Sequence, residues 1–171
     1  VCDSVDNDCD GSTDPDFVNT GFSSTSGWRL NGQAARNASG FLRLVPASTN
    51  LAGSAFYTTH IPGDRFYASF DFRMSGGSSN GADGIVFGIR PPSASTSSVG
   101  GRGGGMGWSG VSGYGVEFDT YYNSGYDPNG NHVGIVNSSG SALVTNTSVP
   151  TLEDGSWHLA EVYFDGGNIQ L

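Results

Sequence analysis

The stretch YGVEFDTYYNSGYDPNGNHVGI, residues 114–135, combines a strand pattern with a concentration of metal-ligating side chains. Its first residues alternate apolar side chains with glycine and carboxylates, which is typical of a β-strand with two different faces. Glu117 and Asp119 are two positions apart, so both carboxylates leave the same face of that strand. Burying two unpaired carboxylates together is costly, and a divalent cation removes that cost. The loop that follows adds three further candidate ligands: Asn123, Asp127 and His132.

These candidate ligands are of two chemical kinds. Imidazole favours a transition metal such as manganese or zinc, whereas amide and backbone oxygens favour calcium. The pattern therefore predicts two adjacent ions that share Asp119 and Asp127. The alternative is a strand edge with solvent-exposed acids, followed by a turn built on DPNGN, residues 127–131.

The rest of the chain is typical of an all-β protein. Short segments rich in Val, Phe, Tyr and Ile lie between clusters of Gly, Ser, Asn and Pro, and they predict about ten short strands. In FYASFDFRM, residues 66–74, apolar and polar side chains alternate, which indicates a half-buried antiparallel strand. The fold class is therefore predicted to be an antiparallel β-sandwich or jelly roll. We expect Trp28 and Trp157 in the core, and Trp108 either in the core or in a binding subsite.

Charge divides the chain near residue 17. The net charge is −9, and six of the sixteen acidic residues lie in residues 1–17, which contain no basic residue. We assign residues 1–16 to an acidic repeat or linker and residues 17–171 to the sandwich. All seven basic residues are arginines and form no basic patch, so nucleic acid is not an expected partner. The longest apolar runs are too short for a transmembrane helix, so membrane insertion is not expected either.

The acidic segment DNDCDGSTD, residues 6–14, has the spacing of a small calcium loop. Oxygens at alternate positions can converge on one hard cation where Gly11 permits a sharp turn, and the Ser12 carbonyl would complete the ring. The predicted ligands of this second calcium loop are Asp6, Asp8, Asp10, Ser12 and Asp14. A solvated acidic linker is the alternative.

The two cysteines, Cys2 and Cys9, lie in the same segment. A disulfide between them would staple the loop and imply export to an oxidising compartment, although a thiol pair could also bind a soft metal. Since the chain starts at Val1 and stops within GGNIQL, we expect a piece of a larger multidomain chain, shortened at its C-terminus.

Three phrases in order resemble the legume (L-type) lectins, in particular bacterial members of that group. They are GADGIVFGI at residues 81–89, GGRGGGMGW at residues 100–108 and VEFDTYYNSGYDPNGNHVGI at residues 116–135. The resemblance implies a concanavalin A-like sandwich. The tail resembles the CDGxDNDCDG repeats of bacterial surface proteins, with Ser4 where glycine is common.

The resemblance also implies roles for individual residues. Asp83, after a cis peptide from Ala82, would accept hydrogen bonds from sugar hydroxyls. Asn123 and the Gly104 N–H would donate to the sugar, and Tyr121 would offer its ring for stacking. The implied transition-metal ligands are Glu117, Asp119, Asp127 and His132. The implied calcium ligands are Asp119, Asn123, Asp127 and the Tyr121 carbonyl.

The function that follows from these expectations is calcium-dependent binding of glycans by a non-catalytic module of a secreted or surface-exposed bacterial protein, such as an adhesin. A glycoside hydrolase of the same sandwich shape is one alternative, but the strand lacks the second glutamate that E-x-D-x-E or E-x-D-x-x-E would supply. A structural spacer with a degenerate sugar site is the other.

Overall fold

The structure, a computed structural model, describes residues 21–60, 65–76 and 81–171. Within these ranges the chain forms eleven strands and one short 3₁₀ turn at Gly103–Gly105. The strands are β1 (Trp28–Gly32), β2 (Ala35–Arg36), β3 (Leu42–Arg43), β4 (Gly53–Tyr57), β5 (Arg65–Phe72), β6 (Gly84–Ile89), β7 (Tyr114–Asp119), β8 (His132–Val136), β9 (Ala142–Asn146), β10 (His158–Asp165) and β11 (Asn168–Gln170). The all-β prediction is therefore confirmed, and β2 is a strand that the sequence pattern did not indicate.

Two sheets carry most of the structure. One has four strands in the order β6-β7-β8-β9, and the other has three strands in the order β11-β10-β5. The pairs β1-β4 and β2-β3 are separate short ribbons. Every pairing is antiparallel, as the alternating pattern of the strands predicted.

The main core lies between these two sheets. Phe72 of β5 and Val162 of β10 pack with Val116 and Phe118 of β7 in one buried cluster. Phe70 of β5 packs against the same cluster, so the apolar face of this strand points inward as predicted. Two sheets that share one apolar layer form a sandwich.

A second buried cluster lies on the opposite face of the four-stranded sheet. Trp108, from the glycine-rich loop, is 4% exposed and contacts Val136 of β8. A Cβ at either Gly88 or Gly115 would press into the Trp108 ring, and these two glycines are register partners on β6 and β7. The paired glycines thus make a recess for the indole, and Trp108 is a core residue.

Trp157 is not in the core, so that expectation is wrong. Its side chain is 48% exposed, and it packs against Phe41 with a ring-centroid separation of 5.1 Å. The Arg73 guanidinium lies 5.2 Å from the centre of its indole ring. A cation over an indole face is a stable surface arrangement, so Trp157 does not need burial.

The register of three strands brings their ends together. Asp119, the last residue of β7, pairs with Gly84 at the start of β6 and with His132 at the start of β8. The loop before β6 and the loop between β7 and β8 therefore meet at one edge of the four-stranded sheet. In the ranges that the structure describes, no helix has the length and apolar character needed to cross a bilayer.

Candidate functional site

Glu117 and Asp119 are buried on the face of β7 that points away from the main core. They are 4% and 2% exposed, while Val116 and Phe118 between and beside them fill the main core. Glu117 faces Gly134 of β8 in the strand register, and a Cβ at residue 134 would collide with the Glu117 carboxylate. Glycine at this position therefore makes the space that the carboxylate occupies.

Burial perturbs both of these acids. It raises the pKa of Glu117 to about 7, and the neighbouring charges of Asp119 and Asp127 act in the same direction. Burial likewise raises the pKa of Asp119 to about 7, against the effect of the Tyr121 N–H, which donates to Asp119 Oδ1 over 2.8 Å. Two adjacent carboxylates are thus held away from water, and among the described residues no arginine forms a salt bridge with either of them.

His132 faces the same acids from β8 and is 1% exposed. Its Nδ1 lies 3.0 Å from the Asn129 carbonyl oxygen, a contact in which Nδ1–H donates. Its Nε2 lies 3.5 Å from Glu117 Oε1 but forms no hydrogen bond with any described residue. A backbone carbonyl that holds one ring nitrogen and leaves the other bare is the usual setting of a metal-bound histidine.

The loop between β7 and β8 carries Asp127 toward these groups. Ligand atoms of Asp119, Asp127 and His132 all lie within 4.8 Å of one another. Within the loop, Asp127 Oδ2 accepts from the Asn123 N–H over 2.6 Å, and the Asn123 carbonyl accepts from the N–H groups of Tyr126 and Asp127. The loop is thereby closed into a compact turn with the oxygen of Asp127 directed inward.

These residues fit a divalent cation. A bare buried imidazole nitrogen and clustered carboxylates whose pKa values are raised are the groups that a cation would neutralise and ligate. The carboxylates and imidazole suit manganese or zinc, and the loop oxygens of Asn123 and Tyr121 suit calcium.

Asp83 lies beside this cluster, on the loop before β6. The peptide bond from Ala82 to Asp83 is cis, as the resemblance implied. The Asp83 carbonyl accepts from the Thr120 N–H over 2.9 Å and lies 3.3 Å from the Thr120 hydroxyl. Burial raises the pKa of the Asp83 carboxyl, and the charge of Asp127 adds to that effect.

The glycine-rich loop covers Asp83 and Asn123. A Cβ at Gly104 would lie 2.9 Å from Asn123 Oδ1, and a Cβ at Gly103 would lie 3.9 Å from Asp83 Oδ2. A side chain at residue 104 would therefore displace the Asn123 amide. The Asp83 carboxylate and the Asn123 amide thus adjoin two consecutive glycines of this loop, Gly103 and Gly104.

Most of the site residues predicted from the sequence lie close together in the structure. Asp119, Asp127 and His132 lie together, with Glu117 beside His132, and Asp83, Asn123 and Gly104 adjoin them. Tyr121 lies in the same loop and is 41% exposed, so its ring is accessible. The remaining predicted site residues lie outside the described part of the chain: Cys2, Asp6, Asp8, Cys9, Asp10, Ser12 and Asp14.

Three residues that support the site were not predicted from the sequence. Thr120 holds the Asp83 carbonyl, Asn129 holds the His132 ring, and Gly134 makes room for Glu117. Of these, only Gly134 left a signal, because a glycine inside a strand indicates that another group approaches closely.

Comparisons with known proteins identify a matching family and solved structures of similar fold. The model of one family, the legume lectin domain, matches residues 14–171. A lectin from Bauhinia forficata, solved in complex with GalNAc, has a TM-score of 0.72 and 27% identity, and the match covers 85% of this chain and 70% of that one. Peanut lectin with a nine-residue peptide has a TM-score of 0.65 and 28% identity, covering 84% and 73%.

The metal-free form of lectin I-B4 from Griffonia simplicifolia is also similar in structure. It has a TM-score of 0.69 and 25% identity, and the match covers 85% of this chain and 72% of that chain. The chain therefore spans somewhat more than two thirds of these three solved lectins.

Proposed function

Because the chain belongs to the legume lectin domain family, we propose that it is a carbohydrate-binding module that requires calcium and has no catalytic activity. The observation that carries this proposal is the position of Asp83. Its carboxylate adjoins the same stretch of glycine-rich backbone as the Asn123 amide, and the charge of Asp127, a candidate ion ligand, acts on it.

The proposed pocket meets the chemical needs of a sugar. Sugars are neutral and well hydrated, so removing one from water requires that each lost hydrogen bond be replaced. Asp83 accepts from sugar hydroxyl groups, the Asn123 amide and the Gly104 N–H donate to sugar oxygens, and Tyr121 packs its ring against an apolar sugar face. Carboxylate acceptors form stronger hydrogen bonds than neutral ones, so Asp83 makes the largest single contribution.

In this proposal, the ions have a structural role. Asp119, Asn123, Asp127 and the Tyr121 carbonyl hold calcium, and Glu117, Asp119, Asp127 and His132 hold a transition metal such as manganese. The ions neutralise the buried carboxylates and fix the connection between β7 and β8. This connection, together with Asp119 and His132 at its two ends, is termed the 119–132 loop. Because Asn123 belongs to that loop and Thr120 holds Asp83, a fixed loop places both groups that bind the sugar.

The sugars to test first are those of similar proteins. The Bauhinia forficata lectin is described in complex with GalNAc, and the basic winged bean lectin, 26% identical, with Tn-antigen. We propose secretion or surface exposure from the small fraction of charged residues, 13%, and from the two cysteines of the tail. A place in a larger bacterial chain is proposed from the tail's resemblance to repeats of bacterial surface proteins. The tail, residues 1–16, is proposed to be a separate calcium loop closed by a disulfide between Cys2 and Cys9.

A glycan panel read with calcium and with EDTA tests the function. The proposal expects binding of at least one glycan that disappears with EDTA and returns when calcium is added back. Release of reducing sugar from a bound polysaccharide would instead support a hydrolase. Stability that depends on calcium, without any glycan signal, would support a structural spacer.

A further inference from the structure

The connection between β9 and β10 touches both loops of the candidate site. Residues 149–153, which we term the support segment, contact the end of the 119–132 loop on one side and the residue two positions before Asp83 on the other. None of the sugar-binding or ion-binding roles proposed above involves this segment.

Asn131 joins the 119–132 loop to the support segment. Its Oδ1 accepts from the Leu152 N–H over 2.9 Å, and its Nδ2 donates to the Pro150 carbonyl over 3.0 Å. Both ends of the amide are thus engaged by one segment of backbone. Asn131 also precedes His132, and its own N–H donates to Asn129 Oδ1 over 2.9 Å. The same Asn129 holds the His132 ring through its carbonyl.

The support segment is anchored in the main core. Leu152 is 3% exposed and belongs to the main core cluster, against which Val149 also packs. A segment with a buried leucine and two bonds to one amide has little freedom to move. The position of Glu153, the next residue, is therefore set by the same contacts.

Glu153 extends this contact to the Asp83 loop, which we define as residues 81–83. Gly81 is buried, and the Glu153 carboxylate fills the space that a Cβ on residue 81 would take. Gly81 is thus backed by Glu153 on one side, while the Asp83 carbonyl is held by Thr120 on the other. The Asp83 loop is fixed from two directions.

We propose that Asn131 is a positioning residue, which couples the ion-binding loop to the Asp83 loop through the support segment and Glu153. The function of this link rests on the proposed sugar site. Ion binding orders the 119–132 loop, and the hydrogen bonds of Asn131 then restrict the motion of the support segment. Glu153 packs against Gly81, so Asp83 keeps its orientation. Chains of packed side chains and hydrogen bonds can carry energetic coupling between two loops, and only a measurement of that coupling establishes it.

Hydrogen exchange of peptides that contain residues 81–85 measures this coupling without any sugar. In the wild-type protein, saturating calcium slows exchange in the Asp83 loop. In Asn131→Ala at calcium saturation, checked by calorimetry, exchange there is faster by about tenfold, because the two hydrogen bonds that join Asn131 to the support segment are lost. Glu153→Ala gives the same faster exchange with unchanged calcium affinity, since Glu153 contacts none of the proposed ion ligands.

Asn146→Ala is the matched control. Asn146 ends β9, directly before the same connection. Its Oδ1 accepts from the Ser148 N–H over 2.9 Å, and its side chain forms no hydrogen bond with the 119–132 loop among the described residues. Hydrogen exchange in the Asp83 loop of Asn146→Ala is therefore expected to match that of the wild-type protein. A general loss of packing would instead accelerate exchange in β5 and β10 as well, and would contradict a specific role for Asn131.

The inference is overturned if Asn131→Ala and Glu153→Ala both keep wild-type protection of the Asp83 loop at saturating calcium. If Asn131→Ala fails to fold, Glu153→Ala and Asn131→Asp decide, since Asn131→Asp retains the acceptor for Leu152 and loses the donor to Pro150. Failure of the proposed function looks different. In that case the wild-type protein binds no glycan, while the exchange experiment still reports whether the two loops are coupled.

Discussion

At the scale of single residues, the most informative feature is the His132 nitrogen that has no hydrogen bond within the described ranges. Nε2 is buried next to acids whose burial raises their pKa to about 7. Such a group would be costly in a site that only served packing. The cost is offset if a cation binds there.

Asp83→Asn tests the assignment of the sugar acceptor. The amide keeps the size of the side chain but replaces a charged acceptor by a neutral one that also carries donors. We expect sugar affinity to fall by about 10- to 100-fold, because a hydrogen bond to a charged group contributes about 1.5–3 kcal/mol. Calorimetry with the bound sugar measures the loss. Unchanged sugar affinity would refute the assignment, and unchanged calcium affinity is the control.

Gly104→Ala tests the packing of the glycine-rich loop on Asn123. The added Cβ would lie 2.9 Å from Asn123 Oδ1, so the amide must move and sugar affinity must fall. Gly101→Ala is the matched control, because its Cβ would meet other atoms only at 3.6 Å and beyond. If both alanine variants bind sugar equally well, Asn123 does not form the proposed hydrogen bond to the sugar from this position.

At the scale of elements, the site depends on the register of β6, β7 and β8. Gly84, Asp119 and His132 are register partners across the three strands, so a one-residue slip would turn the carboxylates into the main core. The correct register therefore brings the proposed sugar-binding loop before β6 next to the proposed ion ligands at the ends of β7 and β8.

Gly134→Ala tests the space reserved for Glu117. The new Cβ overlaps the Glu117 carboxylate and displaces it from His132. We expect a loss of about 1–3 kcal/mol in the free energy of unfolding, typical of overpacking, and a weaker manganese affinity. Chemical denaturation and metal titration measure the two effects. A variant with wild-type manganese affinity would exclude Glu117 as a ligand.

The strands and the clustering of most candidate ligands could be predicted from the sequence because both follow from local patterns. Alternation predicted β5 and β7, and the acids of β7 with Asp127 and His132 stand close together in the chain. The roles of Thr120, Asn129 and Asn131 could not be predicted, since they arise from contacts that only the folded loops create. Trp157 was misjudged because large aromatics are usually buried, whereas Arg73 and Phe41 cover this one at the surface.

At the scale of the whole molecule, the acidic tail and the sandwich are proposed to bind calcium independently. A variant that lacks residues 1–16 should keep its calcium-dependent sugar affinity and bind one calcium fewer per chain. Calorimetric stoichiometry measures the difference. The same number of bound calcium ions in both proteins would contradict the proposed second loop.

Ions should also stabilise the sandwich as a whole. A ligand that binds only the folded state at 100 times its Kd adds about 2.7 kcal/mol to the free energy of unfolding. For a domain of this size, that corresponds to a rise in Tm of roughly 5–10 °C. The rise should be reduced in Asp119→Asn, which removes a ligand shared by both proposed ions, and a full rise in that variant would exclude Asp119.

The dependence of the sugar pocket on divalent ions is tested most directly by following one sample through ion removal and return. GalNAc is the first probe, and any glycan that the panel identifies replaces it. Sugar affinity and Tm are measured with calcium and manganese, after chelation and dialysis, and after calcium is restored. We predict that both fall on ion removal and recover with calcium. Equal sugar affinity and equal Tm in the stripped and loaded states would contradict an ion-built site.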